Sequence, residues 1–160
     1  MIDTRGKLLV LGLGNTLLTD EGVGVHAMRV LQDELGHRDD LAFLDGGTLS
    51  FTLAAPIADC AALVVIDTAA LDAPPGAVAA FEGEAMDRFI ATGPKTSVHE
   101  VSLGEVLGMT LAQDALPARR ALIGVRPESF AWGDAPSPAV AAAIPVACAL
   151  ARARIEEWTQ

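Results

Sequence analysis

Three acidic groups in this sequence stand where short apolar runs end: Asp20-Glu21, Asp45 and Asp67. A histidine, His99, follows in Ser97-Val98-His99-Glu100, which fits the S-x-x-E capping box and places the imidazole in the first turn of a helix. Two carboxylates and an imidazole form a ligand set that borderline metals such as zinc or nickel accept, and three protein ligands leave a position open for water or substrate. A metal held in that way polarises a carbonyl and lowers the pKa of bound water, the chemistry that amide hydrolysis needs. Each residue also has a plainer reading. Asp20 reads as the cap or near-cap of the helix that follows it, and Glu21 as a first-turn acid favoured by the helix dipole. Asp67 and Asp45-Gly46-Gly47-Thr48 read as turns. His99 reads as a solvated first-turn side chain, and His26 and His37 as surface positions on or beside a helix.

Alternating strands and helices must bring these residues together. Lys7–Leu13 is a continuous apolar run closed by Gly14-Asn15, the pattern of a strand buried on both faces of a parallel sheet. Gly22 to about Leu35 has helical spacing, with Val23, Ala27, Val30 and Leu31 on one face. Leu41–Leu44 and Ala62–Ile66 read as further strands, stopped by Asp45-Gly46-Gly47-Thr48 and Asp67, with a short helix over Ser50–Ile57 between them. Pro74-Pro75-Gly76 introduces a plausible edge strand, Ala77–Phe81. A helix over Ser97–Leu111, a strand over Arg120–Val125 and an Ala-rich helix over Ser137–Trp158, interrupted near Pro145, complete the chain. Together they predict one three-layer α/β domain over residues 1–160 with a mostly parallel sheet. In such sheets ligands bind beyond the carboxyl ends of the strands, where the three acidic groups fall.

Composition excludes several classes of function. The chain has 160 residues and a formal charge of −10, which argues against nonspecific binding to nucleic acid or an anionic membrane. Aromatic residues are 4% and Tyr is absent, so a stacking platform for single strands is not expected. Cys60 and Cys148 stand far apart with no metal-ligand spacing, which fits a reducing compartment. The N-terminal apolar stretch has no small-residue cleavage site after it, and the uncharged run from Ala135 to Ala151 is interrupted by prolines and short for a membrane span. A soluble, cytoplasmic, monomeric protein is the expectation. Gly12-Leu13-Gly14-Asn15 fails the G-x-G-x-x-G fingerprint because Leu17 holds the third glycine position. No Walker A motif or nucleophile elbow is present.

Five blocks of the chain resemble the nickel–iron hydrogenase maturation endopeptidases. They are residues 11–25 (LGLGNTLLTDEGVGV), Asp45-Gly46-Gly47-Thr48, Val64-Val65-Ile66-Asp67, residues 97–107 (SVHEVSLGEVL) and residues 124–129 (GVRPES), in the family's order and at compatible spacings. The resemblance implies that Glu21, Asp67 and His99 are the catalytic and metal-binding positions, and that Asp45, Gly46, Gly47 and Thr48 contribute to substrate recognition. It implies an endopeptidase that removes a C-terminal extension from the hydrogenase large-subunit precursor once nickel has been inserted. The nickel is then carried by the substrate. It also implies an α/β/α sandwich around a five-stranded sheet with one antiparallel strand, consistent with Ala77–Phe81 as the odd member. The rival readings are a noncatalytic binding module or chaperone for the nickel-loaded large subunit, and an unrelated small α/β enzyme.

Overall fold

A computed structural model describes residues 2–93 and 101–160. Five strands form one sheet: β1 (Leu8–Leu13), β2 (Leu41–Gly47), β3 (Ala62–Thr68), β4 (Val78–Glu82) and β5 (Arg119–Val125). Their order is β2-β1-β3-β5-β4, all parallel except β4, which pairs antiparallel with β5 at one edge. The helices are α1 (Val23–Leu35), α2 (Ala54–Asp59), α3 (Glu84–Thr92), α4 (Leu103–Ala112) and α5 (Pro138–Trp158). The α/β sandwich with one antiparallel edge strand is the architecture expected from the sequence.

Both faces of the sheet are covered because both faces of its central strands are apolar. Every residue of β1 is buried. With side chains alternating along a strand, Leu8 and Val10 join Val64, Ile66, Ile123 and Val125 in a core closed by α1 and α5. Leu9, Leu11 and Leu13 join Leu63, Val65 and Leu122 in a second core closed by α2, α4 and Met86 of α3. β1 and β3 lie side by side, and chain order reverses between them, since β1 is followed by β2 on one side and β3 lies on the other. Their carboxyl ends therefore open the crevice where α/β sheets bind ligands.

Several elements differ from the sequence reading. α4 begins at Leu103, not Ser97; Ser102 is its N-cap, with its hydroxyl accepting from Glu105 N at 3.1 Å, so the second S-x-x-E in the text, Ser102 to Glu105, starts this helix. The first, Ser97 to Glu100, lies outside the described residues. β2 continues through Asp45 to Gly47 with a bulge: Gly12 pairs with Asp45 and Leu13 with Gly47, leaving Gly46 between. α5 is not interrupted. It runs for 21 residues through Pro145, held by the burial of Val140, Ala143, Ala147, Cys148, Ala151 and Ile155 against α1 and the sheet. It is also long and apolar enough to cross a membrane, judged by length and composition alone. α3 was not anticipated: its nine residues bury only Met86 fully, and it is tied to β5 by Arg120 Nε donating to Asp87 at 2.9 Å.

Candidate active site at the ends of β1 and β3

Glu21 sits in a single 3-10 turn (Thr19–Gly22) between β1 and α1. Two glycines let this turn close onto the strand ends. A Cβ on Gly14 would lie 1.7 Å from Glu21 O, and one on Gly24 would lie 2.0 Å from Ile66 O and 2.5 Å from Leu13 O. No other residue permits those approaches. Thr19 enters the turn in the left-handed region at φ +44°, costly for a β-branched residue. It is fixed there by its hydroxyl donating to Ser129 O at 2.6 Å and its amide donating to Gly133 O at 2.9 Å.

The result places Glu21 beside Asp67, the penultimate residue of β3. Glu21 is 4% exposed, and burial pushes its carboxyl up to about 7. Asp67 is partly buried at the strand end, and it too is pushed up to about 7, by burial first and then by the Glu21 charge. Hydrogen bonds from Thr68 N, at 2.7 Å, and from the Thr68 hydroxyl act the other way without overcoming these effects. Two acids in one crevice, each reluctant to ionise while the other is charged, can share a proton or grip a cation. His99 lies outside the described residues. Among the described residues no group of three or more His, Cys, Asp or Glu is placed to hold a metal ion.

The other sequence candidates have different work. Asp20 caps neither the turn nor α1, contrary to the reading from position. Fully buried, it accepts hydrogen bonds from Glu128 N (2.8 Å), Ser129 N (3.0 Å), Ser137 N (2.7 Å) and Ser137 Oγ (2.8 Å). Burial alone would raise its pKa, but these four donors leave it below the usual carboxylate value. Asp20 is thus a clamp between the Glu21 turn and residues 128–137, which sequence spacing gave no means of anticipating. Asp45 lies on β2, with β1 between it and β3. Its carboxylate accepts from Arg29 Nη2 at 3.2 Å and from Gly47 N at 2.9 Å. A Cβ on Gly46 would press on the ends of the Leu13, Leu11 and Leu53 side chains at 2.7, 2.9 and 3.3 Å, Gly47 has φ +51°, and Thr48 is exposed.

His37 is exposed, 3.3 Å from Asp39. His26 is partly buried rather than a surface residue; its Nε2 has no solvent contact, and burial holds its pKa below the ordinary value. A groove of roughly 530 Å3 between α3 and α4, lined by Ile90, Leu103, Leu107 and Leu111, includes neither Glu21 nor Asp67.

Comparison with known proteins shows the family and the fold. Residues 25–153 match the hydrogenase maturation protease family. The chain is 36% identical over 121 residues to a hydrogenase expression/formation protein HupD of Thiocapsa roseopersicina, a match covering 76% of this chain but only 54% of that protein. It is 32% identical over 125 residues to the hydrogenase 2 maturation protease of Escherichia coli, covering 78% of this chain and 75% of that one. The solved hydrogenase maturating endopeptidase HybD of E. coli superposes with a TM-score of 0.85 at 31% identity, over 94% of this chain and 93% of that chain.

Proposed function

The chain belongs to the hydrogenase maturation protease family, and from that membership we propose that it is an endopeptidase that cuts the C-terminal extension from a nickel–iron hydrogenase large-subunit precursor after nickel insertion. The observation that carries this reading is the meeting of Glu21 and Asp67 at the β1–β3 crevice, each with its carboxyl raised to about 7. Two carboxyls in one crevice disfavour double ionisation, and a divalent cation arriving there would relieve the repulsion. Nickel is the cargo of the substrate, already held by the precursor, and Glu21, Asp67 and His99 are the groups that grasp it. Bound between the two proteins, it would polarise the scissile carbonyl.

The chain's own residues do the rest. Glu21 and Asp67, each holding its proton up to about pH 7, give up protons on engaging the cation, so binding releases protons near neutrality. Asp45, Gly46, Gly47 and Thr48, at the bulged end of β2, receive the polypeptide beside the crevice, with the open side of Gly47 allowing close backbone approach. A precursor lacking nickel has no anchor in this scheme, which gives selectivity without reading a sequence. The reading carries a cytoplasmic protein acting as a monomer.

The test incubates the purified chain with nickel-loaded and nickel-free precursor and reads the precursor C-terminus by mass spectrometry. Cleavage of the loaded form only, abolished by Glu21→Gln, is the expected result. Efficient cleavage of nickel-free precursor would remove the cation from the scheme. Binding of the loaded form without any cleavage would make the chain a binding module.

A further inference from the structure

Residues 128–134 form a strap that the chemistry of Glu21 and Asp67 leaves unused. The strap runs beside the turn that carries Glu21: Gly133 N donates to Leu17 O and Thr19 N to Gly133 O, both at 2.9 Å, and Leu18 and Gly133 form a parallel bridge. Asp20 pins it from beneath through the amides of Glu128 and Ser129. With Leu18 opposite Gly133 in parallel register, Leu17 comes opposite Trp132. Leu17 is 57% exposed, Phe130 37% and Trp132 82%. Large apolar side chains on so firmly bonded a backbone are the pattern of an interaction surface. The strap carries an exposed acid at each end, Glu128 and Asp134, while the cations nearest in sequence to the strap and to the Glu21 turn are engaged elsewhere, Arg126 with Leu71 O and Arg29 with Asp45.

We infer that this strap is the docking platform for the folded body of the precursor, with Leu17, Phe130 and Trp132 seating an apolar patch of the large subunit that is rimmed by Lys or Arg. The inference rests on the function proposed above. The strap is hydrogen-bonded to the turn bearing Glu21, so a folded protein whose tail reaches that carboxyl overlies the neighbouring surface. The aromatic anchors supply affinity and the acidic rim selects a basic partner and speeds encounter. Asp20 and the strained Thr19 keep the platform rigid before the partner arrives, which limits the entropy lost on docking.

The chain has two tryptophans, so incorporating 5-fluorotryptophan into the Trp158→Phe protein leaves one fluorine reporter, at Trp132. Cleavage by the wild-type chain is measured first; its failure would sink the function proposed above and this docking role with it. Given cleavage, adding unlabelled nickel-loaded precursor should shift the Trp132 resonance. Trp132→Ser should weaken precursor binding about tenfold or more, and Leu17→Ser in the same direction, with the melting temperature unchanged and the affinity falling as salt rises. An unmoved resonance during productive cleavage overturns the inference, as does Trp132→Ser binding the precursor as tightly as its parent. A resonance that shifts with the chain's own concentration alone assigns the surface to a second copy and also overturns it.

Discussion

Burial raises the proton affinity of Glu21 to about 7, and burial joined by the Glu21 charge does the same for Asp67. The native state therefore holds more protons than the unfolded chain, whose carboxyls titrate near 4.5 and 3.8, and stability falls as pH rises through that interval. The stabilising protonated forms are fully present below about pH 4 and lost by about pH 7. For Glu21 the effect is on the order of 3 kcal/mol. Urea titrations of the metal-free chain should show stability declining from pH 4.5 to pH 7.5, and Glu21→Gln should flatten that decline. An unchanged slope would mean that Glu21 ionises freely. Asp20 shows how little an acid's place in the text reveals of its role. It precedes Glu21 directly, yet one is a proton-holding site group and the other a fully bonded clamp, and the difference lies with donors 108 to 117 residues away.

At the scale of elements, the position of Glu21 depends on how closely α1 begins to the end of β3. Gly24→Ala puts a methyl 2.0 Å from Ile66 O, within the carbonyl's own contact distance, so the first turn of α1 has to lift. We expect a loss of about 2 kcal/mol or more and slower cleavage of the nickel-loaded precursor, whereas Gly108→Ala, which meets nothing within 4 Å, should be neutral or slightly stabilising. Undiminished cleavage by the Gly24→Ala chain would show that the crevice does not need this contact. The strands of the inner sheet were legible because burial on both faces leaves a continuous apolar run, as in Leu8–Leu13 and Ala62–Ile66. α3 does carry a signal, Met86, Phe89 and Ile90 at i, i+3 and i+4, but over only nine residues it was not legible as a helix. Pro145 misled for the opposite reason: local propensity marks a break, and the buried face of α5 overrides it. In the site, Glu21 and Asp67 were legible as acids at or past strand ends; sheet topology delivers Asp67 to the crevice, and the turn closed by Gly14 and Gly24 brings Glu21 to it. The bulge at Gly46 and the strap were not, because both arise from pairings between distant segments.

The molecule as a whole is a single sheet with an apolar layer on each side, and one thiol is set into each layer. Cys60 lies among the residues packed by α2 and α4, and Cys148 among those packed by α1 and α5. Both are free and buried, and burial lifts their thiols to about 12 and about 11, so neither forms a reactive thiolate in the folded protein. The two sulfurs are thus natural clocks for opening. In a pulse-labelling experiment with a thiol reagent in mild denaturant, we expect Cys60→Ala and Cys148→Ala chains to be modified at matching rates, because the shared strands bind the two layers into one cooperative unit. If Cys60 is labelled far sooner, the α2–α4 side peels away by itself, and the half of the protein that bears Glu21 and α1 would keep its shape while the other half breathes.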